Sequence, residues 1–223
     1  MDAHLQVGRT LDRAAFIRAN TEILSPPLVP EVRLHLAHEA VPMWQKTEVE
    51  LGEIGLPPPF WAFAWAGGQA LARYVLDHPE LVRGKRVVDL ASGSGLVAIA
   101  AMKAGATTVL AADIDAFSGA AIGLNAVHNQ VEVVVTTDDL LHKEIHADLI
   151  LVGDLFYEKR VATRCYDWLL AAHWRGVAVL IGDPGRSYLP QDKLVQVAVY
   201  QVPVTRDLED AEIKRTCVWR LCD

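Results

Sequence analysis

The stretch Arg86-Val87-Val88-Asp89-Leu90-Ala91-Ser92-Gly93-Ser94-Gly95-Leu96-Val97-Ala98-Ile99-Ala100 decides the fold. Paired valines ahead of Asp89 and Leu90 make a strand-like run. Glycines then stand where the backbone must turn tightly and let a ligand approach, and an apolar helix-forming run opens at Leu96. Strand, glycine turn and helix in that order form the opening half of a β-α-β unit, which holds its ligand at the carboxyl end of the strand.

Outward from this stretch the alternation repeats. Strand-like runs lie at 86–90, 107–112, 131–136, 148–152 and 177–181, with helical periodicity at 68–78, 95–104, 116–128 and 158–172. Strands alternating with helices imply a parallel sheet covered on both faces. The tail departs from this pattern. Residues 194–202 and 213–221 are strand-like, and the charged Arg206-Asp207-Leu208-Glu209-Asp210 between them leaves no room for a long helix. The expected fold class is α/β, a Rossmann-like seven-stranded mostly parallel sheet with a C-terminal antiparallel strand pair and helices on both faces.

Toward the N-terminus, residues 9–24 show mixed helical spacing that stops at Ser25-Pro26-Pro27, and residues 31–36 alternate polar and apolar as a half-buried strand. Leu56-Pro57-Pro58-Pro59 is a second break. It divides an N-terminal extension, 1–58, from the α/β domain, 59–223. The aromatic run Phe60-Trp61-Ala62-Phe63-Ala64-Trp65 that follows would, if extended, place Trp61, Phe63 and Trp65 on one face.

A chain of 223 residues accommodates one full-sized domain with a modest extension. Apolar residues make up 52% and charged residues 22%, the balance of a globular protein. The net charge is −7 with no block of like charges, which excludes nucleic acid as a partner class and suits a basic protein or lysine-bearing peptide. Cys165, Cys217 and Cys222 form no C-x-x-C pair, so a reducing compartment is expected. Asp2, Arg9, Asp12, Arg13, Arg18 and Glu22 interrupt the apolar core that a secretory signal needs, and no run reaches the roughly 18 apolar residues of a membrane span. A cytoplasmic monomer without membrane association is expected. His142-Lys143-Glu144-Ile145-His146 is H-x-E-x-H rather than the zinc-binding H-E-x-x-H, and His35 and His38 have no third ligand nearby, so no metal is expected.

Asp113 ends the second strand, eighteen residues after Gly95, where a carboxylate can accept hydrogen bonds from both ribose hydroxyls. An adenosine-containing cofactor follows, and two candidates qualify. Gly93-Ser94-Gly95-Leu96-Val97-Ala98 satisfies the G-x-G-x-x-G/A pattern of nicotinamide dinucleotides. Asp89, however, aims an anion into the loop, which suits the ammonium and sulfonium of S-adenosylmethionine and repels a pyrophosphate. The chain also lacks the length for a separate hydride-acceptor domain. S-adenosylmethionine is the expected cofactor, bounded by Asp89, Ser92, Gly93, Ser94, Gly95 and Asp113. Asp138 and Asp139 follow the third strand, from which one of them could reach the adenine amino group.

Gly153-Asp154-Leu155-Phe156-Tyr157-Glu158 stands at the carboxyl end of the fourth strand, where open α/β sheets place their chemistry. Methyl transfer from a sulfonium needs a neutral nucleophile, so a lysine substrate must first lose its proton. Asp154 could orient the amine, and Tyr157 with Trp61 and Trp65 could form an aromatic wall for the cation. Nucleobase methyltransferases commonly carry two prolines after the acid or amide at this point, and Leu155-Phe156 replaces them here. Gly182-Asp183-Pro184-Gly185-Arg186 reads as a turn whose Arg186 could touch an acidic partner.

With these residues in hand, the chain resembles the seven-strand S-adenosylmethionine-dependent methyltransferases. Within them it resembles the lysine-directed family that carries Asp-x-x-Tyr after the fourth strand, met here by Asp154-Leu155-Phe156-Tyr157. The run leading into Gly67-Gly68-Gln69-Ala70-Leu71-Ala72-Arg73-Tyr74, the segment Ala112-Asp113-Ile114-Asp115, and residues 153–157 and 182–186 are similar to the branch directed at the electron transfer flavoprotein β subunit. The similarity runs over roughly residues 31–219. It implies cofactor contacts at Trp65, the loop 89–95, Asp113 and Gly153, and with them Gly67 and Ile114. It further implies a target lysine at Asp154 and Tyr157, with Trp61, Phe156 and Glu158 on the substrate side, and methylation of that β subunit. A ribosomal protein substrate, a small-molecule N-methyltransferase and a non-catalytic binding module are the alternatives in that order. Ala66 stands where that branch usually has proline, and Ser92 where a loop glycine is common.

Overall fold

A computed structural model describes residues 12–37, 58–204 and 212–222. The chain opens with helix α1, Arg13–Asn20, started by Asp12, whose side chain accepts the Ala15 N–H. The helix expected to reach residue 24 ends here because Thr21 turns extended, φ −138° and ψ 161°. Strand β1, Glu22–Leu24, follows instead and pairs antiparallel with β2, Leu34–Leu36, in a two-stranded sheet. Residues 9–11, His38, Leu56 and Pro57 of the proline break, and the 206–210 connection lie outside the described residues.

A single-turn 3-10 helix at Phe60–Ala62 leads to α2, Ala66–Asp77. The alternating region then runs β3 Arg86–Leu90, α3 Leu96–Lys103, β4 Thr108–Ala112, α4 Ala116–His128, β5 Val134–Thr136, β6 Leu149–Gly153, α5 Lys159–Trp174 and β7 Ala178–Asp183. Strands β8, Leu194–Pro203, and β9, Ile213–Leu221, close the chain. The seven strands β3 to β9 form one sheet in the order β5-β4-β3-β6-β7-β9-β8, with β5 to β7 parallel and β9 antiparallel to both of its neighbours. The last strand therefore inserts beside β7 and leaves β8 at the edge.

The central strands are apolar on both sides, as a covered parallel sheet requires. In β6, Leu149 and Leu151 join the core under α2 and α3, while Ile150 and Val152 join the core under α5. None of the four is more than 2% exposed, and each buried side chain contributes roughly 1.5–3 kcal/mol. The chain runs outward from β3 to β5 and then crosses back to β6. The switch in strand order falls between β3 and β6, and it is there that the carboxyl ends of strands splay apart and leave a crevice. No described helix is long and apolar enough to cross a membrane.

The described part of the N-terminal segment packs on α4. Ile17 is buried with Trp61, Phe117 and Ala121. Asn129 bonds both backbone groups of Arg33, and Asn125 Oδ1 accepts the His35 N–H at 2.8 Å.

Candidate active site

Two strand ends flank the crevice, and both carry strained backbone. Ala91 after β3 and Asp154 after β6 have φ of 55°, a left-handed conformation that costs a residue with a Cβ on the order of 1–3 kcal/mol. In the β3 loop, Gly95 caps α3 at φ 83°, and a Cβ there would stand 3.3 Å from the Ile122 side chain. Asp89 lies beneath this loop, 1% exposed. Its Oδ2 accepts from the Ser92 hydroxyl and from the Ala98 N–H in the first turn of α3. The expectation that Asp89 aims an anion into the loop is thereby corrected: the carboxyl is turned to the loop's own donors, and burial pushes it up to about 7.

Asp113, at the end of β4, accepts the Gly93 N–H on Oδ2 at 2.9 Å and the Asp115 N–H on Oδ1 at 3.0 Å. Desolvation raises its carboxyl against those two bonds. A Cβ placed on Gly93 would meet nothing nearer than Phe60 O at 4.0 Å, so open space adjoins the carboxylate. Ile114 beside it is 76% exposed. An acceptor for hydroxyls, an apolar side chain for a base and a gap in front of a glycine backbone fit an adenosine. Asn125 supports this loop from α4: fully buried, it donates Nδ2 to Ser94 O at 2.7 Å. Sequence reasoning missed it, because a lone amide within a helix carries no local signal of its distant partner.

Across the crevice, Asp154 is 9% exposed and has both oxygens engaged. Oδ2 accepts the Gly68 N–H at 2.9 Å, and Oδ1 accepts Arg186 Nη2 at 2.7 Å and Nε at 3.2 Å. The Arg186 guanidinium also lies 5.7 Å over the Trp65 ring. Trp65 donates its indole N–H to Phe60 O, and Phe60 meets Trp65 and Tyr157 at ring distances of 5.9 and 5.7 Å. Tyr157 is 48% exposed. Burial raises its hydroxyl, Glu158 and Asp113 add to the rise, and Arg186 opposes it, so charges that follow β4, β6 and β7 reach one ring.

Three glycines make this crossing possible. A Cβ on Gly67 would overlap Gly182 O and stand 2.5 Å from Asp154 Oδ2, one on Gly182 would overlap Gly67 O, and one on Gly153 would come 3.1 Å from Gly68 Cα. Gly67 thus borders Asp154 at the seam between α2 and β7.

Other expectations fare differently. The aromatic run is extended only from Phe63. Ala62 N–H bonds back to Pro59 O at 3.0 Å, closing a 3-10 turn that takes Trp61 out of the alternation, while Phe63 is buried and meets the Trp65 ring at 6.0 Å. Trp61 is 2% exposed and stacks on Phe117 at 5.9 Å. Phe156 is fully buried among the side chains under α5. Neither presents surface to a substrate, which corrects their assignment as substrate contacts. Glu158 is exposed at the start of α5. Asp138 pairs with Lys143 at 2.6 Å and Asp139 with Arg164 at 2.8 Å. Arg186, expected to reach an acidic partner, finds one within its own chain. Among the described residues, no group of three or more His, Cys, Asp or Glu could hold a metal.

Two buried acids set a pH response. Asp183 accepts the N–H groups of Gly185 and Arg186 on Oδ1, and burial, reinforced by Asp154, pushes it like Asp89 up to about 7. Unfolded, both acids ionise near 3.9. Between those values the folded chain holds protons that the unfolded chain has released, so this contribution to stability is full below about pH 4 and is lost as pH rises to about 7. Asp183→Asn keeps the acceptor oxygen and is expected to flatten that decline, by on the order of 4 kcal/mol at most. Urea midpoints measured across the range check this, and a slope equal to that of the unsubstituted chain would place an ionised Asp183 in the fold.

Comparison with known proteins joins these features. The family described as Ribosomal protein L11 methyltransferase (PrmA) matches residues 69–155, from α2 through the β6 loop. Over 223 aligned residues the chain is 39% identical to the electron transfer flavoprotein beta subunit lysine methyltransferase of Rattus norvegicus, covering 96% of this chain and 86% of that one. Among solved structures, magnesium protoporphyrin IX methyltransferase from Synechocystis PCC 6803, with bound SAM, superposes with a TM-score of 0.53 at 12% identity, covering 97% of this chain and all of that one. A ribosomal protein L11 methylase from Lactobacillus delbrueckii subsp. bulgaricus gives 0.50 at 22% identity over 72% of this chain and 81% of that one. At these identities the two structures speak for the fold alone.

Proposed function

The chain belongs to the family of electron transfer flavoprotein beta subunit lysine methyltransferases, and from that premise we propose that it methylates lysine ε-amines of an electron transfer flavoprotein β subunit with S-adenosylmethionine as methyl donor. The observation that carries the reading is the pairing, across one switch point, of an adenosine-shaped loop at Asp113 and Gly93 with a cleft formed by Asp154, Tyr157 and Trp65.

Bound there, S-adenosylmethionine supplies an electrophilic methyl group on a sulfonium. The chain's residues do the rest. Asp113 accepts from the ribose, Ile114 packs on the adenine, and the turn 92–95 lets the ligand approach the backbone. Gly153 ends β6 just ahead of Asp154. Asp154 orients the amine, while the partly exposed Tyr157 and Trp65 line its approach.

Labelled S-adenosylmethionine, incubated with the protein and purified flavoprotein β subunit, tests the reading. The expected result is label on β-subunit lysines located by peptide mass spectrometry. Ribosomal protein L11 in the same assay covers the alternative raised by the match over residues 69–155. Preferential labelling of L11, a nucleic acid or a metabolite would overturn the substrate. Asp113→Ala is expected to weaken cofactor binding by about 1–3 kcal/mol, the cost of leaving hydroxyl partners unmet. Calorimetry reads this directly, and an unchanged dissociation constant removes Asp113 from the ribose.

A further inference from the structure

We propose that Arg186 is a positioning residue of the transfer site: it stays on Asp154 when substrate binds, and its fixed positive charge makes the target lysine enter as the neutral amine. The inference rests on the lysine methyltransferase reading above.

The arginine is built in. Asp183, fully buried, holds the backbone N–H groups of Gly185 at 2.7 Å and Arg186 at 2.6 Å. The Tyr188 N–H reaches back to Phe156 O at 3.1 Å, tying the same loop to the strand end that carries Asp154. The guanidinium is then clamped between the Asp154 carboxylate and the Trp65 ring, with its side chain 20% and that of Asp154 10% exposed. A planar cation bonded through two nitrogens and lying over an indole at cation–π range is a preorganised pair.

The chemistry needs such a pair. A carboxylate left alone beside a lysine would hold the ammonium and raise its pKa. An ammonium has no lone pair and cannot accept a methyl group. Arg186 offsets the Asp154 charge, and the Gly68 N–H at the start of α2 adds positive potential on the other oxygen. Other groups face the same point. Tyr157 and Glu158 follow β6, Asp113 lies across the crevice, and Asp183 sits behind the Arg186 turn. Of these, Arg186 is the cation in contact with Asp154. The ε-ammonium therefore gives one proton to bulk solvent on docking, while Asp154 stays ionised and keeps an oxygen lone pair for an N–H of the neutral amine.

The test counts that proton without turnover. The protein loaded with S-adenosylhomocysteine is titrated with flavoprotein β subunit at about pH 9, where free lysine, with a pKa near 10.4, is still almost fully protonated. Calorimetry in buffers of different ionisation enthalpy reads protons released per complex. Close to one is expected for the unsubstituted chain and for Arg186→Lys, and close to none for Arg186→Gln. In Arg186→Gln the acid limb of the kcat profile, which reports groups in the bound complex, is expected to move up by about one pH unit or more. Equal release by both chains with an unmoved acid limb would overturn the role of Arg186, as would no release by the unsubstituted chain, a measurement that stands even where Arg186→Gln does not fold. Failure of the unsubstituted chain to methylate the β subunit would instead remove the underlying reading.

Discussion

Asp154→Asn is expected to lower methyl transfer at least about a hundredfold while cofactor affinity stays within about an order of magnitude. Asparagine keeps the shape and one acceptor oxygen, so the Gly68 N–H can remain bonded. It removes the negative charge that now faces Arg186 at 2.7 Å, and with it the charge-assisted half of the pair. The uncompensated guanidinium then repels the incoming lysine, and the amide oxygen is a poorer acceptor for the amine. Alanine would be a less clean test, because it would also strand the Gly68 N–H at the start of α2. Single-turnover transfer reads the loss and calorimetry reads the cofactor. A rate within a few-fold of the unsubstituted chain would remove Asp154 from the chemistry and leave it a structural link between α2 and β7.

Gly182→Ala is expected to cost the fold about 3 kcal/mol or more, a fall in Tm of roughly 6–12 °C for a chain of this size. Its new Cβ would overlap Gly67 O and stand 2.7 Å from Leu71 Cβ. Both obstacles belong to a buried helix packed on the sheet and neither is the free end of a flexible side chain, so α2 must lift from β7. The mirror change, Gly67→Ala, should act alike and in addition displace Asp154 Oδ2, coupling lost stability to lost transfer. Gly68→Ala is the control. Its Cβ meets only Val97 Cγ2 at 4.0 Å, and it is expected to be close to neutral. Thermal and urea unfolding of the three variants check this. Equal stability for Gly182→Ala and Gly68→Ala would mean that the seam adapts and that glycine is not required there.

The role proposed for Arg186 ties these results together. Substitution of Asp154 removes the anion, substitution of Arg186 removes the cation, and a Cβ on Gly67 moves one against the other. If the pair acts as a unit, the transfer losses of Asp154→Asn and Arg186→Gln should be well short of additive in the double variant.

Much of this architecture was legible because it is local. Sheet strands alternate sides every residue and helices repeat every 3.6, so the runs at 86–90, 116–128 and 213–221 could be bounded to the residue. Asp113 and Asp154 could be found because each stands one step past a strand, and Asp89 because it is the next-to-last residue of one, in each case just ahead of the turn that marks the strand's end. Misreadings came where backbone conformation cancels alternation. The 3-10 turn at Phe60–Ala62 breaks the rule that every second side chain shares a face, so Trp61 went to the core.

The sequence by itself determined the alternating α/β order, the glycine loop, the acids at the strand ends and the Asp-x-x-Tyr segment, since each depends on residues within a turn or two of one another. Tertiary structure alone decided that β9 inserts beside β7, that Asp89 faces its own loop, that Asn125 braces Ser94, and that Gly67 must make room for Gly182. It also decided that Arg186 closes on Asp154, 32 positions earlier in the chain. Those contacts join segments whose separation in sequence carries no periodic signal, and only the packing of α2 over the ends of β6 and β7 brings them within reach.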